Sequence, residues 1–349
     1  MLESALVLAS IVDSESKELV VRYSGFLKAR EECSERPQLT KFLTPIVFLK
    51  LCLSGKDFVR LRSLMNYATS KIQAERLDIQ LKFYDMVGHG YLRECDLENL
   101  VNDLIPTMSG LSCLQEDFVQ FYVYTAVRRF MFFHDPRRSG RIRINELVGS
   151  MTMQEFLASR DGVQPSSNWF SAEAAINVYM RYIEMDADGN GMLSKAELLK
   201  YPSGLLTPIA VDRIFEEYRT YDNEMDYKGF LDLVLALENK NTDASLRYMW
   251  KVLDEAKTGK VNKQTLELFL GSVISTLIFS YQCAQASQYK VCDLCDEVCD
   301  ILGLKDQEYL TFADLKEHNG ALLPLMLIDA QAFFLYDNRE SYISAQVGS

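Results

Sequence analysis

The chain has 349 residues, 48% hydrophobic and 25% charged, with a formal net charge of −12. Such a length can bury a sizeable core in two or three domains, and the composition excludes a disordered chain. The acidic balance argues against a surface that neutralises phosphates, so no nucleic-acid partner is expected.

Residues 1–75 read as an N-terminal helical segment. The first of them carry Glu3 early and no cationic lead, so no signal peptide is read there and a cytoplasmic protein is expected. Residues 76–158 contain one pattern twice: an acid, a glycine five residues on and an apolar residue two further. In 85–96 these are Asp85, Gly90 and Leu92, with Val87, His89 and Arg93 between and beyond them. In 135–146 they are Asp135, Gly140 and Ile142, with Ser139 and Glu146 also polar and Arg137 and Arg143 adding positive charge. The run 118–133 is aromatic nearly all round, which suits a buried helix or half of an interface. Arg128, Arg129, Arg137, Arg138, Arg141 and Arg143 gather positive charge in an acidic chain. They read either as a solvated face or as a docking surface for an acidic partner. The stretch 159–168, rich in Gly, Pro and Ser, is the clearest linker.

Residues 169–240 carry the pattern in full. A helix with Ile176, Tyr179, Met180 and Ile183 at i, i+3, i+4 and i+7 leads into Asp186-Ala-Asp-Gly-Asn-Gly-Met-Leu-Ser-Lys-Ala-Glu197. A calcium loop of the EF-hand kind takes oxygens from positions 1, 3, 5, 7, 9 and 12 and needs glycine at position 6. Here those ligands are Asp186, Asp188, Asn190, the carbonyl of Met192, Ser194 and Glu197, around Gly191. Calcium is a hard cation that prefers oxygen donors, and the closing glutamate supplies two of them. Against this standard the loops 85–96 and 135–146 are structural hands that have lost their cation chemistry. Thr207-Pro208 marks the next helix start, with an apolar stripe of Val211, Ile214, Phe215 and Tyr218. The following segment 221–229 is too poor in ligands for calcium, but Met225 is placed to pair with Leu193 across two loops.

Residues 241–349 read as a C-terminal pair of degenerate hands. Leu246, Met249, Trp250 and Leu253 form a helical stripe, and 254–265 keeps Asp254, Gly259 and Val261 but ends on Thr265. A last vestigial loop falls within 305–315. Cys292, Cys295 and Cys299 share one helical face, and read as reduced, buried small residues or as part of a thiolate metal site. The apolar runs 270–281 and 321–336 are short or broken by Pro324 and Asp329, so no membrane partner is expected. No phosphate-binding glycine loop, dinucleotide turn, zinc-protease helix or nucleophile elbow occurs. His89, His134 and His318 are the only histidines, and each reads as a loop or surface residue. The fold class is therefore all-α, with tandem EF-hand pairs, mostly degenerate, in an elongated helical arrangement, and no enzyme is read.

Several stretches resemble the B-double-prime regulatory subunits of protein phosphatase 2A, of the gamma-type, TONNEAU-like branch. They are Tyr91-Leu-Arg-Glu-Cys-Asp-Leu-Glu98, Asn168-Trp-Phe-Ser171, Asn190-Gly-Met-Leu-Ser-Lys-Ala-Glu-Leu198, Glu224-Met-Asp-Tyr-Lys-Gly-Phe-Leu-Asp232, Leu235-Ala-Leu-Glu-Asn239 and Asp337-Asn-Arg-Glu340. The resemblance implies a non-catalytic chain that binds the HEAT-repeat scaffold and the catalytic subunit and directs the phosphatase to phosphoprotein substrates. It further implies association with centrosomes and microtubule arrays, a role in the cell cycle, and a nuclear pool beside the cytoplasmic one. Two departures stand out. The N-terminal extension of relatives is short or missing here, and Ala256, Thr258 and Thr265 remove a second calcium loop that some branches carry. From the residues alone, a freestanding calcium sensor or a structural EF-hand adaptor acting on target helices fits as well.

Overall fold

A strand of three or four residues followed directly by a helix is the recurrent unit of this chain. The computed structural model describes residues 2–13, 17–52, 56–159, 168–280, 282–301, 309–317 and 322–339. Contacts divide it into two units, Met1–Phe83 and Tyr84–Ser349.

The first unit runs α1 (Leu2–Leu8), β1 (Ile11–Val12), β2 (Leu19–Arg22), α2 (Tyr23–Glu32), α3 (Pro37–Thr40), α4 (Pro45–Leu51), β3 (Phe58–Arg60) and α5 (Leu61–Lys82). The strands make an antiparallel sheet in the order β1-β2-β3, with Val21 opposite Val59. Thr44 caps α4 ahead of Pro45, whose missing N–H costs nothing at a first turn. Leu6, Val21, Phe26, Leu43, Val59 and Leu64 form the core, and Phe48 meets both Tyr23 and Phe26 edge-on at 5.1 Å. The sequence shows this unit as helices alone, since Val20-Val21 and Val59 are too short a run to display a period of two. It also places a boundary at residue 75, through which α5 continues unbroken.

The second unit begins with β4 (Tyr91–Arg93), α6 (Glu94–Leu104), α7 (Glu116–His134), β5 (Arg141–Arg143), α8 (Ile144–Val148) and α9 (Met151–Ala158). Of the expected linker 159–168, residues 160–167 lie outside the described residues. Then follow α10 (Ala172–Met185), α11 (Lys195–Leu198), α12 (Pro208–Glu217), α13 (Tyr227–Glu238) and α14 (Asp243–Leu253). Last come β6 (Lys260–Asn262), α15 (Lys263–Phe279), α16 (Val291–Ile301), β7 (Tyr309–Thr311), α17 (Phe312–Glu317), α18 (Leu322–Ile328) and α19 (Ala330–Asp337). Strands pair between loops: Leu92 lies opposite Ile142, and Val261 opposite Leu310. These are the eighth residues of 85–96, 135–146 and 254–265, together with a residue of the expected last loop. Residues 305–308 of that loop lie outside the described residues.

The aromatic helix α7 is core. It packs on α6, α9, α10 and α13, burying Tyr122, Val123, Ala126, Val127 and Phe130. Phe130, Phe156 and Phe170 form a triad with ring centroids 5.2–5.4 Å apart. Tyr122 Oη donates to the Phe170 carbonyl at 2.9 Å, and Trp169 Nε1 to the Thr125 carbonyl at 3.1 Å. His134 is the last residue of α7 rather than a loop or surface residue: it is half-buried, its Nε2 has no hydrogen-bond partner, and burial lowers its pKa. His318 lies outside the described residues.

The stripe expected on α10 is rotated by one residue. Ile176, Met180 and Ile183 are exposed to 38%, 47% and 41%, while Ala175, Val178, Tyr182 and Met185 are buried. Two alanines, Ala172 and Ala175, let α10 come close to its neighbours, and one residue of phase is a turn of about 100° on a helix. Elsewhere the expected stripes are inward: Val211, Ile214, Phe215 and Tyr218 on α12, and Leu246, Met249, Trp250 and Leu253 on α14, are all buried. Of the three cysteines on α16 only Cys295 is buried, with Sγ 3.9 Å from the Lys263 carbonyl, and Cys292 is exposed. A tie joins the calcium-loop region to the C-terminal helices: Thr207 N–H donates to the Ile328 carbonyl at 3.0 Å and Ala330 N–H to the Leu205 carbonyl at 2.9 Å. No described helix is long and apolar enough to cross a membrane.

Candidate metal centre

Four loops share one backbone device. The first aspartate turns its carboxylate back onto the N–H groups of the loop, and the sixth residue is a glycine with positive φ. Gly90, Gly140, Gly191 and Gly259 have φ of +77°, +77°, +79° and +73°, a region that costs other residues about 1–2 kcal/mol. Their N–H groups donate to Asp85 Oδ2 at 2.6 Å, Asp135 Oδ2 at 2.6 Å, Asp186 Oδ2 at 2.8 Å and Asp254 Oδ2 at 2.8 Å. The loops therefore hold an EF-hand turn whatever their ligand content.

What differs is the far side of each loop. In 85–96 the carboxylate of Asp96 is occupied by its own chain. Arg93 donates to it from Nε and Nη2 at 3.0 Å each and from the backbone N–H at 2.8 Å. These bonds hold the Asp96 pKa down although burial pushes it up. In 135–146 the same pair of positions is Arg143 and Glu146, 3.9 Å apart. A guanidinium at position 9 stands where a cation would be neutralised. In 254–265 the end of the loop is only a helix cap, with Thr265 N–H on Asn262 Oδ1 at 2.8 Å.

The loop 186–197 is different. Asp186, Asp188 and Glu197 each bring an oxygen within 4.8 Å of the others, and no other group of three potential metal-ligating acids, histidines or cysteines converges among the described residues. The three cysteines of α16 accordingly do not form such a site. Asn190 Oδ1 accepts the Met192 N–H at 2.7 Å. Ser194 caps the short helix α11, and Glu197 closes the box by accepting the Ser194 Oγ–H at 2.7 Å and N–H at 2.9 Å. Its other oxygen accepts the Ala187 N–H at 2.8 Å. The hydrogen bonds from Ser194 are the main reason the Glu197 carboxyl titrates below its usual range, so it is held ionised, as a hard-cation ligand must be. The helix after the loop is α11, Lys195–Leu198. The six oxygen donors thus stand on one short turn whose backbone is already bent for them, and the set fits calcium.

Two residues that sequence reasoning missed support the turn. Tyr182, buried on α10, donates its hydroxyl to the Gly191 carbonyl at 2.8 Å and approaches the Met225 carbonyl at 3.3 Å. Glu224 faces Asn190 from the next loop. The pairing expected of Leu193 with Met225 is present, with N–H to carbonyl distances of 2.8 Å in both directions.

Three arginines of the cluster, Arg128, Arg129 and Arg138, are tied to carboxylates of other helices. Arg128 grips Asp232 with two nitrogens, Nη2 to Oδ2 2.7 Å, and Arg138 joins the same oxygen at 2.8 Å. Glu94 takes Arg128 at 3.4 Å and Lys228 at 2.8 Å. Burial alone would lower the Arg128 pKa, but Asp232 and Glu94 hold it above its ordinary value. Arg129 pairs with Glu155 at 2.8 Å, while Arg137 is exposed. This network lines a cavity of about 180 Å³ between Arg128, Arg138, Asp232, Tyr218 and Tyr248. It joins α6, α7 and α13, and so ties the degenerate pair to the calcium-loop pair.

A family model for the EF-hand domain matches residues 74–160. The chain is 38% identical to the gamma-type B-double-prime regulatory subunit of serine/threonine-protein phosphatase 2A from Rattus norvegicus, over 94% of this chain and 72% of that protein. Identity to the Homo sapiens protein of the same description is also 38%, with the same coverage. It is 28% identical to TON2 of Arabidopsis thaliana, a probable B-double-prime regulatory chain of the same phosphatase, over 95% of this chain and 72% of that one. Among solved structures, a chain of a PP2A PR70 holoenzyme in a form designated diCa matches with a TM-score of 0.62 at 21% identity, covering 70% of this chain and 92% of that chain. The last likeness shows a shared fold alone; the identity to the gamma-type proteins shows more. The protein belongs to the B-double-prime family of protein phosphatase 2A regulatory subunits and is a regulatory chain, not a catalytic one.

Proposed function

We propose that this regulatory chain binds one calcium ion through Asp186, Asp188, Asn190, the Met192 carbonyl, Ser194 and Glu197, and that it joins the phosphatase scaffold and catalytic subunits to direct dephosphorylation of chosen phosphoproteins. The observation that carries the calcium half is the convergence of Asp186, Asp188 and Glu197 on a turn pre-bent at Gly191. Family membership and the holoenzyme that contains the PR70 chain support the partner half. A bound calcium would supply divalent charge for the three carboxylates to share, with affinity in the sensor range of about 10⁻⁷–10⁻⁵ M. Asp186 ends α10 and Glu197 lies in α11, so ligands on both sides of the turn fix the angle between these helices. The Leu193–Met225 bridge carries that angle to the segment before α13. Ile176, Met180 and Ile183 leave an apolar face on the outside of α10. We also place the protein in the cytoplasm, at centrosomes and microtubule arrays.

Calorimetry and co-purification test the proposal together. Wild type should bind calcium at one site and retain the scaffold and catalytic subunits, and Glu197→Gln should lose most of the calcium affinity. Unchanged affinity in Glu197→Gln would show the site to be elsewhere. Calcium binding without any capture of the phosphatase core would instead favour the freestanding sensor.

A further inference from the structure

The loop paired with 186–197 is not a second EF-hand loop in any form. Tyr221 and Glu224 exchange backbone hydrogen bonds of 2.8 and 2.9 Å around Asp222 and Asn223, whose φ values are +52° and +64°. Two successive positive φ values make a type I′ hairpin turn, and Asp and Asn are residues that tolerate it. The next residue, Met225, is held to Leu193 by two bonds of 2.8 Å. The hairpin therefore delivers the Glu224 carboxylate to the calcium loop from outside its twelve residues. There both of its oxygens lie 3.2 Å from Asn190 Nδ2, which also lies 3.2 Å from Asp188 Oδ2.

We propose that Glu224 is a positioning residue for the calcium site, supplied by the neighbouring hairpin; this rests on the calcium assignment above. An asparagine at position 5 has one useful oxygen and one amino group that a cation repels. Glu224 accepts from that amino group and so fixes which end of the amide faces outward, leaving Oδ1 turned into the loop where it accepts the Met192 N–H. It also restores charge. With Asn in place of a fourth acid the ligands carry three carboxylates, and Glu224 adds another negative charge beside them. Outer partners of this kind orient ligands and strengthen metal binding. The loss of the partner's own loop is thereby put to use: a full loop in place of the two-residue turn would not carry residue 224 to this position.

The test is a calcium titration by calorimetry on the full chain, with calcium alone as the probe. Glu224→Ala should weaken binding by about tenfold. Glu224→Gln keeps an acceptor for Asn190 Nδ2 and loses the charge, so it should weaken binding by a smaller factor that shrinks as salt is raised. Melting in chelator checks the hairpin, and both variants should match wild type there. Wild-type affinity in both variants, with Glu197→Gln still defective, would overturn this role and leave the calcium site intact. A wild-type chain that takes up no calcium would overturn both. A loss in Glu224→Ala that merely follows a lower melting temperature, with Glu224→Gln unaffected, would also overturn it.

Discussion

Asp232 is a buried carboxylate shared by two guanidinium groups. Its side chain is 5% exposed and accepts from both Arg128 and Arg138, the first of them only 15% exposed. Pairing offsets the cost of removing these charges from water, and losing Asp232 would leave Arg128 with only the longer contact to Glu94 at 3.4 Å. Asp232→Ala should therefore destabilise the fold by about 3–5 kcal/mol in denaturant titrations, with chelator present so that calcium plays no part. Nothing in the sequence marks Asp232: it sits among apolar residues of α13, and its partners lie 104 and 94 positions away. The convergence of Asp186, Asp188 and Glu197, by contrast, is legible because the proposed ligands fall within twelve consecutive residues and the chemistry dictates their spacing. Tyr182 and Glu224 are not, since each reaches the loop from a different segment. Arg93 is visible as a charge in the wrong place, but not as the clamp on Asp96.

At the level of elements, local chemistry reads well from sequence and phase less well. Thr207-Pro208 does open α12, with Thr207 Oγ1 accepting the Ala210 N–H at 3.3 Å, because caps are set by neighbouring residues alone. The buried face of α10 depends on what approaches it, and two apolar faces one residue apart cannot be ranked from periodicity. The short strands of the first unit escape for a related reason, being fewer residues than a period needs to show. Asp329, which caps α19, shows the element scale in energetic form. One oxygen accepts the N–H groups of Leu205, Gln331 and Ala332 at 2.9, 2.9 and 3.4 Å. Burial nevertheless raises its pKa above the ordinary value, with those bonds opposing the shift. A carboxyl raised in the folded state stabilises fully below its unfolded pKa, and that contribution is lost as pH rises through the folded pKa. Asp329→Asn keeps the acceptor and removes the titration. Its melting temperature should match wild type in acid and exceed it increasingly toward neutral pH.

For the whole molecule, a calcium ion held at the proposed site would act by mass action on the folded state. At a free concentration about a hundred times Kd, one site adds about 2.7 kcal/mol, so thermal melts of wild type should shift upward by several degrees over chelated samples. Glu197→Gln should show little shift. The loops 85–96 and 135–146 carry their own guanidinium and should not contribute, so the dependence should fit a single site without cooperativity. A steep, cooperative rise in melting temperature with calcium would contradict that assignment.

The tie between 205–207 and 328–330 has a consequence for how the protein is made. Leu205 and Asp329 are 124 positions apart. A ribosome working at about 5–20 residues per second needs roughly 6–25 s to cover that distance. Throughout that interval the segment leaving the calcium turn has no mate, and its N–H groups face solvent or a chaperone. A premature stop codon that removed the last helices would leave the same edge permanently unsealed, so nonsense mutations late in the coding sequence should harm the ion site far upstream of them.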